Sequence, residues 1–201
     1  DGSLAEMCGN GIRVMARYLV ERGNQPEGIF ASNTRDGIKH LRVPKVDDIS
    51  VNMGKVSDES EEITASVEGK IWNGYNINVG NPHAVVFVED LNLVGELTDA
   101  PIVRPKESYP EGVNVEFVEF ISDSELKMRV FERGSGETQS CGTGTCAVAL
   151  AATLKKNKSL PAKWVIYPPG GRLEVDIDGH SNATLIGPAE LVRDVDLAKF
   201  F

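Results

Sequence analysis

The 201-residue chain has only three cysteines and three histidines, too few for the frameworks that staple small secreted domains or metal-built folds. Cys8, Cys141 and Cys146 include no C-x-x-C pair, so neither a disulfide scaffold nor a thioredoxin-like motif is present. His40, His83 and His180 are scattered without the spacing of a zinc site. No apolar run approaches the roughly 18 residues of a membrane span, and no signal-peptide pattern opens the chain. Basic residues number 21 against 30 acidic ones, a net charge of −9 with no basic stripe, which argues against nucleic acid as a partner. No G-K-[ST] phosphate loop occurs, and no lysine sits in a recognisable Schiff-base context. What remains is the composition of a soluble globular protein with an ordinary core, expected in a reducing cytoplasm.

Against this background one feature recurs. Cys8-Gly-Asn-Gly11 and Cys141-Gly-Thr-Gly144 are near copies, and each opens a predicted helix. A thiol followed by glycines at a helix start sits where backbone N–H groups lack partners and the helix dipole is positive. Such a place lowers a thiol pKa and receives a carboxylate. A small buried cysteine is the ordinary reading of either residue alone; the repetition favours two reactive thiols facing one anionic substrate. Cys146, one turn inside an apolar run, reads as core.

After the first motif, Ile12, Met15, Ala16, Leu19 and Val20 recur at helical spacing, which predicts one apolar face with Arg13, Arg17 and Glu21 turned elsewhere. Gly23 and Asn24, with Pro26 beyond, supply the stop. Residues 146–154 are apolar on all sides, the pattern of a helix buried all round. Alternation predicts strands at Ile49-Ser-Val51-Asn-Met53, Tyr75-Asn-Ile77-Asn-Val79, Val113-Asn-Val115-Glu-Phe117, Leu126-Lys-Met128-Arg-Val130 and Leu173-Glu-Val175-Asp-Ile177. The solid run Ala84-Val-Val-Phe-Val88 predicts a buried strand. Each half thus carries one cysteine-opened helix among strands, a weak internal repeat, and the polar stretch 57–62 is the expected junction.

Three further motifs carry alternatives. Gly142-Thr-Gly144-Thr-Cys-Ala147 fits G-x-G-x-x-A, but the acidic residue of a dinucleotide fold is missing about 20 residues on. Glu132-Arg133, before a glycine-rich loop leading to Cys141, reads equally as a solvated strand end or as a group that orients a substrate ammonium and carboxylate. Gly80-Asn81-Pro82-His83 reads equally as a plain turn or as a means of holding His83 near a thiol.

Two acid/base groups on opposite faces of one carbon remove a proton from one side and deliver one to the other, inverting the centre. Cysteine suits this because thiol and thiolate interconvert near neutral pH when the pKa is tuned. Helix N-termini aimed at an α-carboxylate stabilise the charge that grows there, in place of a cofactor electron sink.

Taken together, Asp1-Gly-Ser3, Met7-Cys-Gly-Asn-Gly11, Gly80-Asn-Pro-His83, Gly112-Val-Asn114, Glu132-Arg-Gly-Ser-Gly-Glu-Thr138, Ser140-Cys-Gly-Thr-Gly144 and Gly187-Pro-Ala-Glu190 resemble the diaminopimelate epimerases. The matches run in the family's order over nearly the whole chain. The resemblance implies interconversion of LL- and meso-diaminopimelate in lysine synthesis, without cofactor or metal. It implies that Cys8 and Cys141 are the two acid/base thiols, with His83 paired to Cys8 and Glu132 to Cys141. Backbone N–H groups of Gly9, Asn10, Gly142 and Thr143 would hold the α-carboxylate. Asn81, Asn114 and Arg133 would grip the distal end, and Glu132 would also meet the reacting ammonium.

The implied fold is α/β, with two pseudo-symmetric lobes, each a curved mixed or antiparallel sheet wrapped round a central helix. Residues 1–56 plus 188–201 would form the N-terminal lobe, including a returning C-terminal strand, and 57–187 the other. Lobe closure and a homodimer are implied in the same way. The family carries a further N-terminal segment before the position of Asp1, so the chain is expected to be part of a longer protein. Proline and hydroxyproline racemases are the nearest alternative; they share the cysteine motifs but usually carry histidine where Asn10 stands, and lack the Glu-Arg-Gly-Ser-Gly-Glu lead-in. A non-catalytic remnant is the alternative of a different class.

Overall fold

The structure, a computed structural model, describes residues 7–192 and 194. The Asp1-Gly-Ser3 motif and most of segment 188–201 lie outside the described residues.

Helix α1 (Gly9–Glu21) starts directly after Cys8 and ends at Gly23, whose φ of 72° is a left-handed value that glycine adopts without strain. Its buried face differs from the one predicted. Ile12 and Ala16 are buried, but so are Arg13 and Arg17, while Met15 is exposed together with Val14 and Tyr18. The periodicity misleads here because the guanidinium groups find carbonyls rather than water. Arg17 donates to Pro44 O at 2.7 Å, Lys45 O at 3.0 Å, Asp47 O at 2.8 Å and Ala189 O at 3.1 Å. Arg13 donates to Gly9 O at 3.2 Å and to Asn10 Oδ1 at 3.1 Å. A buried charge with this many acceptors is tolerated, and it ties two loops to the helix.

In chain order the strands are β1 (Gly28–Thr34), β2 (Gly37–Val43), β3 (Ile49–Lys55), β4 (Ser57–Val67), β5 (Lys70–Asn78), β6 (Pro82–Phe87) and β7 (Ile102–Arg104). They continue as β8 (Asn114–Phe120), β9 (Glu125–Glu132), β10 (Gly136–Thr138), then helix α2 (Gly142–Lys155), β11 (Ala162–Tyr167), β12 (Leu173–Ile177) and β13 (Asn182–Gly187). All six strands predicted by pattern are present. β1, β2, β4, β7, β10, β11 and β13 were not foreseen. β1 alternates only between exposed and half-buried, the buried face of β2 includes Lys39, and β4 opens on acidic residues, so none of them shows a strong apolar alternation.

Among the described residues the strands form one mixed sheet in the order β1-β2-β3-β13-β12-β11-β9-β8-β6-β5-β4-β7, with β10 paired to β9. Pairing is antiparallel except for β6 with β8 and β9 with β11. The stretch 57–62 is no free linker; it is the start of β4, bulged between Asp58 and Glu62. The chain nevertheless crosses there from one region of the sheet to another, since β3 pairs with β2 and β13 while β4 pairs with β5 and β7. The strand that returns to β3 is β13, ahead of residue 188; residues 188–192 carry no strand.

Helix α2 is buried from Gly144 to Thr153 on every side, as its composition predicts. It touches β4, β5, β6, β8, β11, β12 and β13, so the sheet curls around it. The α2 residues join one continuous apolar cluster with Ile12, Val51, Met128, Trp164 and Leu185. Burying this face removes a few hundred Å² of apolar surface from water at about 25 cal/mol per Å². At one end of these central strands, an edge formed by strand termini, His83, near the start of β6, stands opposite Asn114 at the start of β8, and the end of β9 lies alongside. This edge adjoins the N-terminus of α2.

Candidate active site

Cys8 and Cys141 occupy the same structural position. Each is the N-cap of its helix in extended backbone, with φ and ψ of −109° and 111° for Cys8 and −116° and 119° for Cys141. Each sulfur accepts from the N–H of the third helical residue, Gly11 at 3.3 Å and Gly144 at 3.4 Å. A thiol here fills the role that serine or aspartate fills at ordinary N-caps.

The two helix starts meet. A Cβ built on Gly142 would lie 3.0 Å from Gly9 Cα and 3.3 Å from Gly9 N, so the two backbones approach more closely than side chains allow. Asn10 Nδ2 donates to Ser140 O at 3.0 Å, tying the first turn of α1 to the residue before Cys141. This is the physical reason for the glycine after each cysteine. The close approach brings together the two helix starts that follow Cys8 and Cys141, although they are far apart in sequence.

In each helix the fourth N–H returns to the cap carbonyl, Ile12 to Cys8 O and Thr145 to Cys141 O, and the third goes to sulfur. The first two, on Gly9 and Asn10 and on Gly142 and Thr143, have no acceptor among the described residues. Four converging donors at two positive helix ends make a receptor for a carboxylate.

The two thiols differ in setting. Cys8 is exposed and Cys141 is buried. Burial pushes the Cys141 thiol well above its usual range, the carboxylates of Glu116 and Glu132 add to the rise, and hydrogen bonds from Thr143 and Gly144 oppose it. The lowering expected from the helix N-terminus is therefore outweighed at Cys141, because water is excluded and two acidic groups stand near. Cys146, fully buried among apolar residues, is pushed up to about 12 by burial and is core as expected.

The other site residues gather beside Cys141. Glu132 accepts from Thr138 Oγ1. Asn114 accepts from Arg133 N at 3.0 Å and donates to Pro82 O at 3.2 Å, so its amide pins two site loops together. The Arg133 side chain packs over Gly112 and donates to Glu111 O at 3.3 Å. His83 is fully buried, and both ring nitrogens are engaged, Nδ1 with Glu116 Oε1 at 2.7 Å and Nε2 with Asn81 Oδ1 at 2.9 Å. Its expected direct pairing with Cys8 is replaced by these two bonds. Asn81 Nδ2 in turn donates to Thr143 Oγ1 at 3.4 Å, and that oxygen lies 3.4 Å from Cys141 Sγ. Glu116 and Arg13 escaped the sequence reading. A lone Glu within Val113-Asn-Val-Glu-Phe-Val118 was the available signal for the first.

A cavity of about 720 Å³ opens between β4, β5 and the end of α2, lined among others by Glu62, Tyr75, Arg104 and Lys155. None of the site residues lines it.

The sequence profile described as "Diaminopimelate epimerase" matches residues 75–192. A diaminopimelate epimerase of Streptomyces coelicolor is 44% identical over 199 residues, covering 96% of this chain and 69% of that protein.

The chain belongs to the diaminopimelate epimerase family.

A second member, from Geobacillus sp. strain WCH70, is 36% identical and covers 96% of this chain and 74% of its own length. Among solved structures, a phenazine biosynthesis protein of the PhzF family from Bacillus anthracis superposes with a TM-score of 0.69 at 15% identity, covering 91% of this chain and 73% of that chain. A hydroxyproline epimerase from Agrobacterium vitis, with bound trans-4-hydroxy-L-proline, gives 0.66 at 17%, covering 90% and 64%. These two likenesses show the fold that this family member shares with them.

Proposed function

We propose that this chain is a diaminopimelate epimerase that inverts one α-carbon between the LL and meso forms, in lysine biosynthesis. The observation that carries the mechanism is the contact of Gly9 with Gly142, which seats two cysteine N-caps at one place. In this reading the α-carboxylate lies against the N–H groups of Gly9, Asn10, Gly142 and Thr143. One thiolate removes the α-proton, and negative charge spreads onto the carboxylate beneath the helix N-termini. The opposite thiol donates its proton to the other face. No proton is gained or lost overall, and the two sulfurs end with their protonation states exchanged. Burial favours the thiol form of Cys141, which suits it to donate a proton.

In the same reading Glu132 tunes Cys141 and meets the reacting ammonium, while Asn81 and Arg133 grip the distal end. Asn114, with its amide already engaged, acts by fixing Arg133 and the turn at Pro82. His83 acts on the site through Asn81 and Thr143. No step requires a cofactor. The same proposal includes two lobes, 1–56 with 188–201 and 57–187, closing on substrate, and a cytoplasmic homodimer, which sedimentation equilibrium tests.

The direct test is incubation with LL-diaminopimelate in heavy water. Deuterium should enter the α-carbon of the product, and Cys8→Ser and Cys141→Ser should each slow this by about 10²–10⁴-fold, since a serine hydroxyl is a far weaker acid and base. No deuterium with the unaltered protein would refute the activity. Full turnover by either serine variant would refute the two-thiol mechanism.

A further inference from the structure

Glu116, the third residue of β8, has no exposed surface and stands among Val115, Phe117 and Val118. Its Oε1 is 2.7 Å from His83 Nδ1, and its Oε2 has no hydrogen-bond partner among the described residues. It also packs against the helix that carries Cys141: a Cβ on Gly144 would fall 2.5 Å from Glu116 Oε1. The residue is therefore inserted between His83 and the first turn of α2, at a position no motif marks.

The chemistry of the ring's two neighbours decides its protonation. Asn81 turns its Oδ1 to His83 Nε2 and its Nδ2 to Thr143 Oγ1. A carbonyl oxygen only accepts, so Nε2 carries a hydrogen. At the other nitrogen, Nδ1 and a carboxyl oxygen at 2.7 Å share a single proton. Whichever atom holds it, the pair has no net charge. That accounts for a carboxylate tolerated in a dry site with one oxygen bare, where an unpaired ion would be costly.

We propose that Glu116 is a positioning residue for the epimerase reaction: by sharing one proton with Nδ1 it holds His83 with Nε2–H against Asn81, and so turns the Asn81 amide toward Thr143 and Cys141. The catalytic part of the proposal rests on the two-thiol reading; the hydrogen-bond part does not.

The experiment is ¹⁵N-detected histidine NMR on the unaltered protein and on Glu116→Gln and Glu116→Leu, alongside α-deuterium exchange. In the unaltered protein His83 should show a protonated Nε2 and a proton shared at Nδ1. Glu116→Gln should keep Nε2–H, because a glutamine amide donates to Nδ1, and should retain most of the exchange rate. Glu116→Leu should lose the fixed tautomer and slow exchange by about 10- to 100-fold, the scale of a small misplacement at a reacting site. His83 with a bare Nε2 in the unaltered protein or in Glu116→Gln would overturn the proposal. So would a Glu116→Leu variant that keeps the exchange rate, or one that loses it with the His83 signature unchanged. If Glu116→Leu fails to fold, the unaltered protein and Glu116→Gln still decide. An unaltered protein with no exchange but the expected His83 signature would refute the epimerase reading and leave the hydrogen-bond assignment standing.

Discussion

Replacing Gly142 by alanine tests the central geometry without touching a chemical group. The added Cβ would lie 3.0 Å from Gly9 Cα, 3.2 Å from Leu185 Cδ2 and 3.3 Å from Gly9 N. Ordinary carbon–carbon contact is about 3.5–4.0 Å, so the neighbours must give by a few tenths of an ångström. Leu185 is a side-chain tip and can rotate, but Gly9 is backbone at the start of α1. Relief therefore separates the helix ends and stretches the 3.0 Å bond from Asn10 to Ser140. Overpacking of this kind costs about 1–3 kcal/mol, which lowers the melting temperature by about 2–4 °C per kcal/mol in a chain of this size. The same displacement moves Cys8 relative to Cys141; a 1 Å error between reacting groups costs about 10²-fold, so a few tenths of an ångström should slow exchange by up to about 10-fold. The assay is α-deuterium exchange well below the melting temperature, with Gly179→Ala as the control, since a Cβ there meets nothing within 4 Å. Gly9→Ala should be milder, because its closest contacts, at 2.9 and 3.2 Å, are the side-chain tips of Leu185 and Met53. Gly142→Ala with unaltered melting and exchange would refute the claim that the helix contact positions the thiols.

Alkylation with iodoacetamide near neutral pH should modify Cys8 first, because it is exposed while Cys141 and Cys146 are buried; peptide mass mapping that finds Cys141 first would contradict this. Cys146 stabilises the fold fully below its unfolded pKa of 9.0 and loses that contribution as pH rises toward about 12, because the folded value is raised. The loss should be about 1.4 kcal/mol for each unit above pH 9, and Cys146→Ala should flatten alkaline denaturation by that slope; an unchanged slope would refute it. Arg17→Ala strips hydrogen bonds from four carbonyls and should cost about 3 kcal/mol, read as a drop of roughly 6–12 °C in melting temperature. Arg17→Ala with unaltered melting would mean that the loops are held by other contacts.

Much of the fold was readable where periodicity and burial agree. Residues 146–154 are apolar on every side and form part of a helix wrapped by the sheet, and the alternating segments around Val51 and Val175 are strands with one face inward. The edge strand β1 was not readable, because a strand exposed on one side and half-buried on the other needs no apolar alternation. Arg13 and Arg17 were placed on the wrong face, since pattern reading assumes that charge seeks water and cannot see distant carbonyls. His83 was found as a site residue, but its partners were not, because Glu116 comes to it across the pairing of β6 with β8.

The sequence alone determined that two cysteine–glycine motifs cap two helices, since a cap depends on a handful of neighbouring residues. It also carried the family membership, through motifs spread along the chain. Only the tertiary structure decided that Gly9 rests on Gly142, that one thiol is open and the other closed, and that His83 is shared between Glu116 and Asn81. These are contacts between residues distant along the chain. They depend on how the sheet curls around α2, which no local pattern encodes.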